Sequence, residues 1–467
     1  MEFKRKGCNA ILFLVNVLII GAGRRGQRLA RHLIEENKSV TFLDRDQSKC
    51  TATEAKLDCL AVCGMATDIE ALEMAGVKSA DAVISLTDSD EINLVSCGIV
   101  KSNFPNVKTT IAATRSISYI SDEEGSANPI LGISHIVNPD FEASERIVDI
   151  VESGLYNDTI TFPDTSFLLF TMQVAASSPF MGKTLIECRK SIPGNYVITG
   201  ILRNGEALIP SGRTIIKKND TLAIIIDNDD TLSLLNKVGD TFKPKKPKKM
   251  ILVGATGITR FLLKKLSPDI RRGIILTEVD KEVCEDFSRQ FPDITVLNVS
   301  ITDETIWEDE DFAKADVLVS LTDNDELNII SASYAKRIGV SRTISLIKTS
   351  TNYMQFARHL DIDAPISTTV TVVDSIVKQL RGKQVSTMHT LFDGDLEVYE
   401  YVIPKDFKYI GKALKDVDMK GRMLIAGVKR KNGSSFIPGG SYEFQSGDSL
   451  LFVTSHSSGH FFEGFIK

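Results

Sequence analysis

The 467-residue sequence predicts an α/β chain: two tandem doubly wound parallel-sheet domains, each followed by a small α+β domain. Three observations carry that expectation. Short apolar runs alternate with amphipathic stretches, which signals βαβ units with helices on both faces of a sheet. A glycine-rich turn links the first apolar run to the first helical stretch. The whole pattern then occurs twice. Residues 80–101 read ADAVISLTDSDEINLVSCGIVK and residues 315–336 read ADVLVSLTDNDELNIISASYAK, with 11 of 22 positions identical.

The elements follow in order. Val15–Ile20 is a buried strand, Arg25–Glu36 an amphipathic helix and Val40–Leu43 a second strand. Leu60–Val62, a helix near Ile69–Ala75, Ala82–Leu86, a helix from Glu91 and Thr109–Ala113 complete the alternation. Further on, Leu168–Val174, Tyr196–Arg203, Thr214–Lys217 and Thr221–Asp227 read as strands, with turn signals at Asn204-Gly205 and Asn219-Asp220 and a short helix over Thr184–Lys190. This second module is duplicated too. Gly200 to Arg203 and Gly205, Ile209-Pro210 and Asn219-Asp220 recur as Gly427 to Arg430 and Gly433, Ile437-Pro438 and Gly447-Asp448. The expected domains are 15–150, 158–240, 250–383 and 385–467. An extension, 1–14, precedes them, and a Pro/Lys linker, 241–249, joins the halves.

Composition narrows the function. A net charge of −6 gives no global attraction to nucleic acid. Ala10–Ile20 follows a basic cluster and mimics a signal peptide, yet it leads straight into the glycine turn, so it reads as a domain strand. No stretch reaches the roughly 20 apolar residues of a membrane span, and a soluble protein is expected. Seven cysteines without a CxxC pair suit reduced thiols in the cytoplasm. Of six histidines, His32 reads as a structural residue on the first helix, and His456/His460 lack helical metal-site spacing.

Gly21-Ala22-Gly23-Arg24-Arg25-Gly26 fits GxGxxG between a strand and a helix, and Asp44 ends the next strand 18 residues after Gly26. Gly21 permits the tight turn, Gly23 lets backbone N–H groups approach phosphate, and Gly26 permits close helix–strand packing. The helix N-terminus adds about half a positive charge facing the phosphates. Asp44 suits ribose hydroxyls, whereas Arg45 beside it could meet a 2′-phosphate. These features predict a Rossmann-like nucleotide site. The second copy reads Gly254-Ala255-Thr256-Gly257-Ile258-Thr259. Thr256 would crowd a pyrophosphate and Thr259 would push helix from strand, although Glu278 keeps the acid. A degenerate module is expected there, with an altered site around Glu278 as the alternative.

The GAGxxG loop, the acid ending the second strand, the [ST]LT[DN]xDExN signature and the doubled downstream block resemble the TrkA family over residues 16 to about 460. The resemblance implies tandem RCK units, each an N-terminal Rossmann domain and a C-terminal domain. It implies a homotetrameric ring, peripheral on the cytoplasmic face of the inner membrane, gating a TrkH- or TrkG-like potassium-conducting subunit. NAD(H) and ATP or ADP are the implied ligands. Carried over by motif, Gly21, Gly23, Arg24 and Gly26 form the phosphate loop, and Asp44 takes the ribose. Gly64, Met65, Ala66, Thr67 and Asp68 border the adenine, while Thr87, Asp88 and Arg115 line the other end. The second copy's third-strand loop, Leu297 to Ser300, lacks the family glycine. Two alternatives stand: an NAD-dependent dehydrogenase, which needs a proton-transferring His or Lys near the nicotinamide, and a gating subunit for a different potassium channel or transporter.

Overall fold

A computed structural model describes residues 16–36, 38–116, 130–153, 159–162, 165–192, 194–227, 246–308, 312, 314–349, 351–381, 385–392, 395–419, 421–455 and 465. The N-terminal extension, the first part of the basic linker and His456/His460 lie outside these residues.

The first sheet is built from β1 (Asn16–Ile20), β2 (Ser39–Asp44), β3 (Leu60–Cys63), β4 (Ala82–Ser85), β5 (Thr109–Ala113) and β6 (His135–Val137). Its order is β3-β2-β1-β4-β5-β6, with every pairing parallel. The order reverses between β1 and β4, the switch point where doubly wound sheets open a ligand crevice. Helices α1 (Arg24–Glu35), α2 (Gln47–Glu54), α3 (Ile69–Met74) and α4 (Asp90–Asn103) form the crossovers. The alternation read from sequence places most of these elements within a residue or two. It omits α2, whose Asp46 cap receives the Ser48 and Lys49 N–H groups. The short β6 coincides with a strand-like run that follows His135 in the sequence.

The second parallel sheet repeats the order. It comprises β12 (Met250–Val253), β13 (Ile274–Glu278), β14 (Thr295–Asn298), β15 (Val317–Ser320), β16 (Arg342–Ile347) and β17 (Ala364–Ser367), arranged β14-β13-β12-β15-β16-β17. Its helices include α7 (Gly257–Lys265), α8 (Pro268–Arg271), α9 (Lys281–Gln290), α10 (Glu304–Glu308), α11 (Asp325–Ile338) and α12 (Thr351–His359).

The two halves exchange helices. Helix α5 (Pro139–Ser153) leaves the first sheet, and Ala143, Ile147, Ile150 and Val151 join the core of the second, beside Leu262 and Leu266. Buried Arg342 donates from Nη1 to the Ile150 carbonyl at 3.0 Å, and Ser267 N–H donates to Glu152 at 2.9 Å. Helix α13 (Thr368–Arg381) makes the reverse trip. Its Val372, Val373, Ile376 and Val377 are buried with Leu29, Ala30 and Leu33 of α1.

Two antiparallel sheets complete the chain. The first runs β10 (Glu206–Leu208), β9 (Tyr196–Arg203), β11 (Thr221–Asp227), β8 (Phe167–Gln173), β7 (Thr159–Thr161). The other runs β18 (Val385–Leu391), β19 (Leu396–Val402), β22 (Ser449–Ser455), β20 (Met423–Lys429), β21 (Ser435–Phe436). Asn204 and Gly205, both with positive φ, turn the β9–β10 hairpin. Thr214–Lys217 is not a strand: Ile215 makes one isolated bridge to Thr184. Thr184 instead caps α6 (Leu185–Ser191) in a capping box with Glu187.

The sheets share an apolar core of Leu169, Ile225, Leu396, Val398 and Val453. The duplicated glycines find their reason here. A side chain at Gly200 would strike Leu396 and Phe392, and one at Gly427 would strike Phe167, so each glycine admits the opposite sheet. The duplicated Arg and Asp are a fixed pair. Arg203 grips buried Asp220 through Nε and Nη2 at 2.8 and 2.7 Å, and Arg430 lies 3.5 Å from Asp448.

Candidate nucleotide-binding site

The glycine loop leaves β1 with Gly21 at φ +102°, a conformation that favours glycine. Gly21 N–H donates to the Leu43 carbonyl at 2.9 Å, binding the loop to β2. Ala22 N–H donates to Asp44 Oδ2 at 2.7 Å, and Asp46 N–H to Oδ1 at 2.9 Å. Asp44 therefore braces the loop while its remaining lone pairs stay available at the strand end. A Cβ at Gly26 would overlap the Gly21 carbonyl and press on Phe42 and Ile19, so this glycine sets the helix–strand distance. A Cβ at Gly23 would meet no atom within 4 Å. That glycine faces open space at the start of α1, as a phosphate-approach position requires.

A cavity of about 220 Å³ opens above these strand ends, lined by Gly21, Gly23, Asp44, Arg45, Gly64, Met65, Ala66, Thr67, Thr87 and Asp88, with Lys49 and Ser89. Ten residues named from the sequence thus converge on one crevice at the sheet's switch point. Three of the others lie behind it or at its edge. Ala22 and Gly26 are buried structural members, and Asp68 caps α3 by accepting from Glu70 N–H at 3.0 Å.

The remaining four line a second, larger cavity of about 700 Å³ between the parallel-sheet domains. Arg24, Arg25 and Arg115 enter from the first domain, and Glu278 with Thr256 and Gly257 from the second. Asp140 of α5 crosses this gap: a Cβ at Gly257 would lie 2.8 Å from its Oδ2. Burial raises the Asp140 carboxyl's pKa, against the opposing pull of Lys348, Arg115 and Arg25. Burial and Arg115 lower that of Arg25.

Sequence reasoning missed the residues that hold Thr87 and Arg115. Buried Asn93 accepts from Ser85 Oγ, Thr87 N–H and Thr87 Oγ1 at 2.9, 2.9 and 2.7 Å, and donates to the Thr87 and Ala113 carbonyls at 3.1 and 2.8 Å. Asp90 accepts from the Arg115 and Ser116 N–H groups at 2.9–3.0 Å. The second copy repeats both devices. Asn328 holds Thr322 and the Leu346 carbonyl, and Asp325 receives the Lys348 and Thr349 N–H groups at 2.8 Å. The DExN repeat itself was the available signal: it survives in the copy with the altered loop, which marks a bracing task.

That altered loop keeps its backbone. Gly254 has φ +95°, Ala255 N–H donates to Glu278 Oε2 at 2.8 Å, and Val279 and Asp280 N–H donate to Oε1. Thr259 is accommodated: its hydroxyl donates to the Gly254 carbonyl at 2.6 Å, turning a clash into a hydrogen bond. Thr256 places a side chain where Gly23 leaves space, and its hydroxyl lies 3.3 Å from that of Thr259.

The model for the TrkA-N domain matches residues 17–139 and 250–368, and that for the TrkA-C domain matches 169–239 and 398–462. The chain belongs to the TrkA family. The chain is 26% identical over 420 residues to the Trk system potassium uptake protein TrkA of Halomonas elongata, covering 89% of this chain and 91% of that one. It is 24% identical over 421 residues to the protein of the same name from Vibrio alginolyticus, with the same coverage. Among solved structures, the GsuK RCK domain matches with a TM-score of 0.56 at 16% identity, covering 97% of this chain and 94% of that one. The GsuK channel bound to NAD gives 0.57 at 17%, covering 97% and 78%. The TrkA-family chain thus shares the tandem RCK fold. Among its described residues no helix is long and apolar enough to cross a membrane.

Proposed function

We propose that this TrkA-family chain is a non-catalytic regulatory subunit of a potassium-uptake system, switched by nucleotide at its first glycine loop. The observation that carries the reading is the intact, Asp44-braced loop, whose Gly23 faces open space beside the gap between the two domains. NAD(H), ATP or ADP would lie with its ribose at Asp44, its adenine along Gly64 to Thr67, and its phosphates at Gly23 and the start of α1. Charge in the gap would then meet Arg24, Arg25 and Arg115 on one wall and the Glu278 side on the other. A ligand that binds one spacing of the two domains better than another shifts the population between spacings. A TrkH- or TrkG-like membrane subunit would read that shift through a homotetrameric ring on the cytoplasmic face of the inner membrane. The TrkA names of the relatives and the RCK fold of the structural neighbours support the reading. Among the described residues no histidine lines either cavity, while Lys49 lines both and Lys348 the larger one, so the dehydrogenase reading rests on whether a lysine transfers a proton there, which the turnover assay below decides. The second loop, with Thr256 and Thr259, is read as a degenerate site.

Native mass spectrometry of the purified chain during titration with NADH, ATP and ADP tests this directly. One nucleotide per chain, with a change in the reconstituted partner's potassium flux, is the expected result. No binding, or steady nicotinamide turnover with a small alcohol or hydroxy acid, would overturn it.

A further inference from the structure

His32 lies in the last turn of α1, the helix that opens from the glycine loop, Glu36 one turn on is its C-cap residue, and Glu397 lies on β19 of the last sheet. His32 Nε2 is 3.3 Å from Glu36 Oε1 and 3.6 Å from Glu397 Oε1, and the ligand atoms of all three lie within 4.8 Å of one another. The three are 7%, 6% and 0% exposed. A tetrahedral ion with bonds of about 2.0–2.2 Å spaces its donor atoms about 3.3–3.6 Å apart, which matches the distances from His32 Nε2 to the two carboxylate oxygens. The Tyr399 hydroxyl donates to the other oxygen of Glu397, the kind of support that orients a ligating carboxylate. The nearby Asp374 carboxyl is buried, which raises its pKa to about 6, and it is held by Thr390 Oγ1 at 2.9 Å.

From this geometry we infer a binding site for one divalent transition-metal ion at His32, Glu36 and Glu397, joining α1 of the first domain to β19 of the last. The mixed imidazole–carboxylate donor set suits zinc and its spectroscopic substitute cobalt, and does not suit calcium or magnesium, which take oxygen donors. The site lies apart from the nucleotide crevice, so it stands or falls independently of the function proposed above. Bound metal would fix the outer end of the helix whose inner end opens beside Gly23, tying the nucleotide loop to the C-terminal sheets.

Cobalt(II) titration of the full chain provides the test, since its visible spectrum separates nitrogen and oxygen coordination from thiolate coordination. One ion per chain with a four-coordinate visible band and no thiolate charge transfer is expected. That band should be lost in His32→Gln and Glu397→Gln. The ion should also raise the wild-type melting temperature relative to EDTA. An absent band, a thiolate-only spectrum, or His32→Gln protein that binds as the wild type does would overturn the proposal. Where a variant fails to fold, X-ray absorption on the cobalt-loaded wild type decides: one imidazole with oxygen donors supports the site, and sulfur donors or no imidazole overturn it.

Discussion

Asp44 braces the glycine loop with one carboxylate, and the proposed ribose contact would fall to the same group. Its oxygens accept Ala22 and Asp46 N–H groups, so the loop is already shaped without a ligand. Asp44→Ala should therefore weaken NAD and ATP binding at least tenfold in calorimetry, because hydrogen bonds to a charged group contribute about 1.5–3 kcal/mol. Asp44→Asn, which still accepts from Ala22, should lose less. Asn93 presents the opposite case, a residue whose importance is stability. Asn93→Ala strands five hydrogen-bonding partners around the ends of β4 and β5, and should cost about 2–4 kcal/mol by chemical denaturation. Asn328→Ala should cost a similar amount, although its own glycine loop is altered. The site residues were legible where a backbone need excludes other side chains, as at Gly21 and Gly26. Asn93 and Asp90 were not, because a helix N-terminus rich in acids and amides gives no sign of which neighbouring strand it holds.

Helices α5 and α13 carry the most consequential packing, and the sequence reads neither as a bridge. Periodicity reports that a helix has an apolar face; it does not report which domain covers it. Glu142 of α5 accepts from Ser375 Oγ of α13 at 2.8 Å where the two cross, and burial raises its pKa to about 7. A carboxyl whose folded pKa is raised contributes stability that is full below its unfolded value near 4.5 and is lost as pH rises through about 7. Glu142→Gln keeps an acceptor for Ser375 and removes the titration. Melting curves from pH 4 to 8 should fall less steeply in the variant, which should be the more stable protein above pH 7. Thr214–Lys217 shows the reverse failure, in which a β-branched, apolar segment reads as a strand. There the backbone turns to bond Gly182 and Lys183, and tertiary context overrides propensity.

At the scale of the molecule, duplication was the feature the sequence displayed most openly, because two copies of one fold preserve the same bracing residues. Their mutual grip was hidden, since long-range packing leaves no periodic trace. Each exchanged helix is buried in part by the other half, although α5 also packs on β7 and α13 on β18 of its own half. Residues 1–240 expressed alone should expose Ala143, Ile147, Ile150 and Val151, and residues 250–467 should expose Val372, Val373, Ile376 and Val377. Neither piece is expected to remain monomeric in light scattering. Co-expressed, they should co-purify at one-to-one ratio, and independent monomeric folding of both would contradict the exchanged packing.

The helix exchange has a bearing on how the chain can change over time. In an assembly of identical single copies, each substitution at such a crossing is felt twice, once on each side of a two-fold axis. Joining the copies in one polypeptide makes every position single. Thr259 can take up a hydrogen bond on one loop while Gly26 keeps its close approach on the other, and Asp140 can cross to Gly257 without a matching acid returning from Thr369. A symmetric junction can only open or close evenly; this one has a defined left and right.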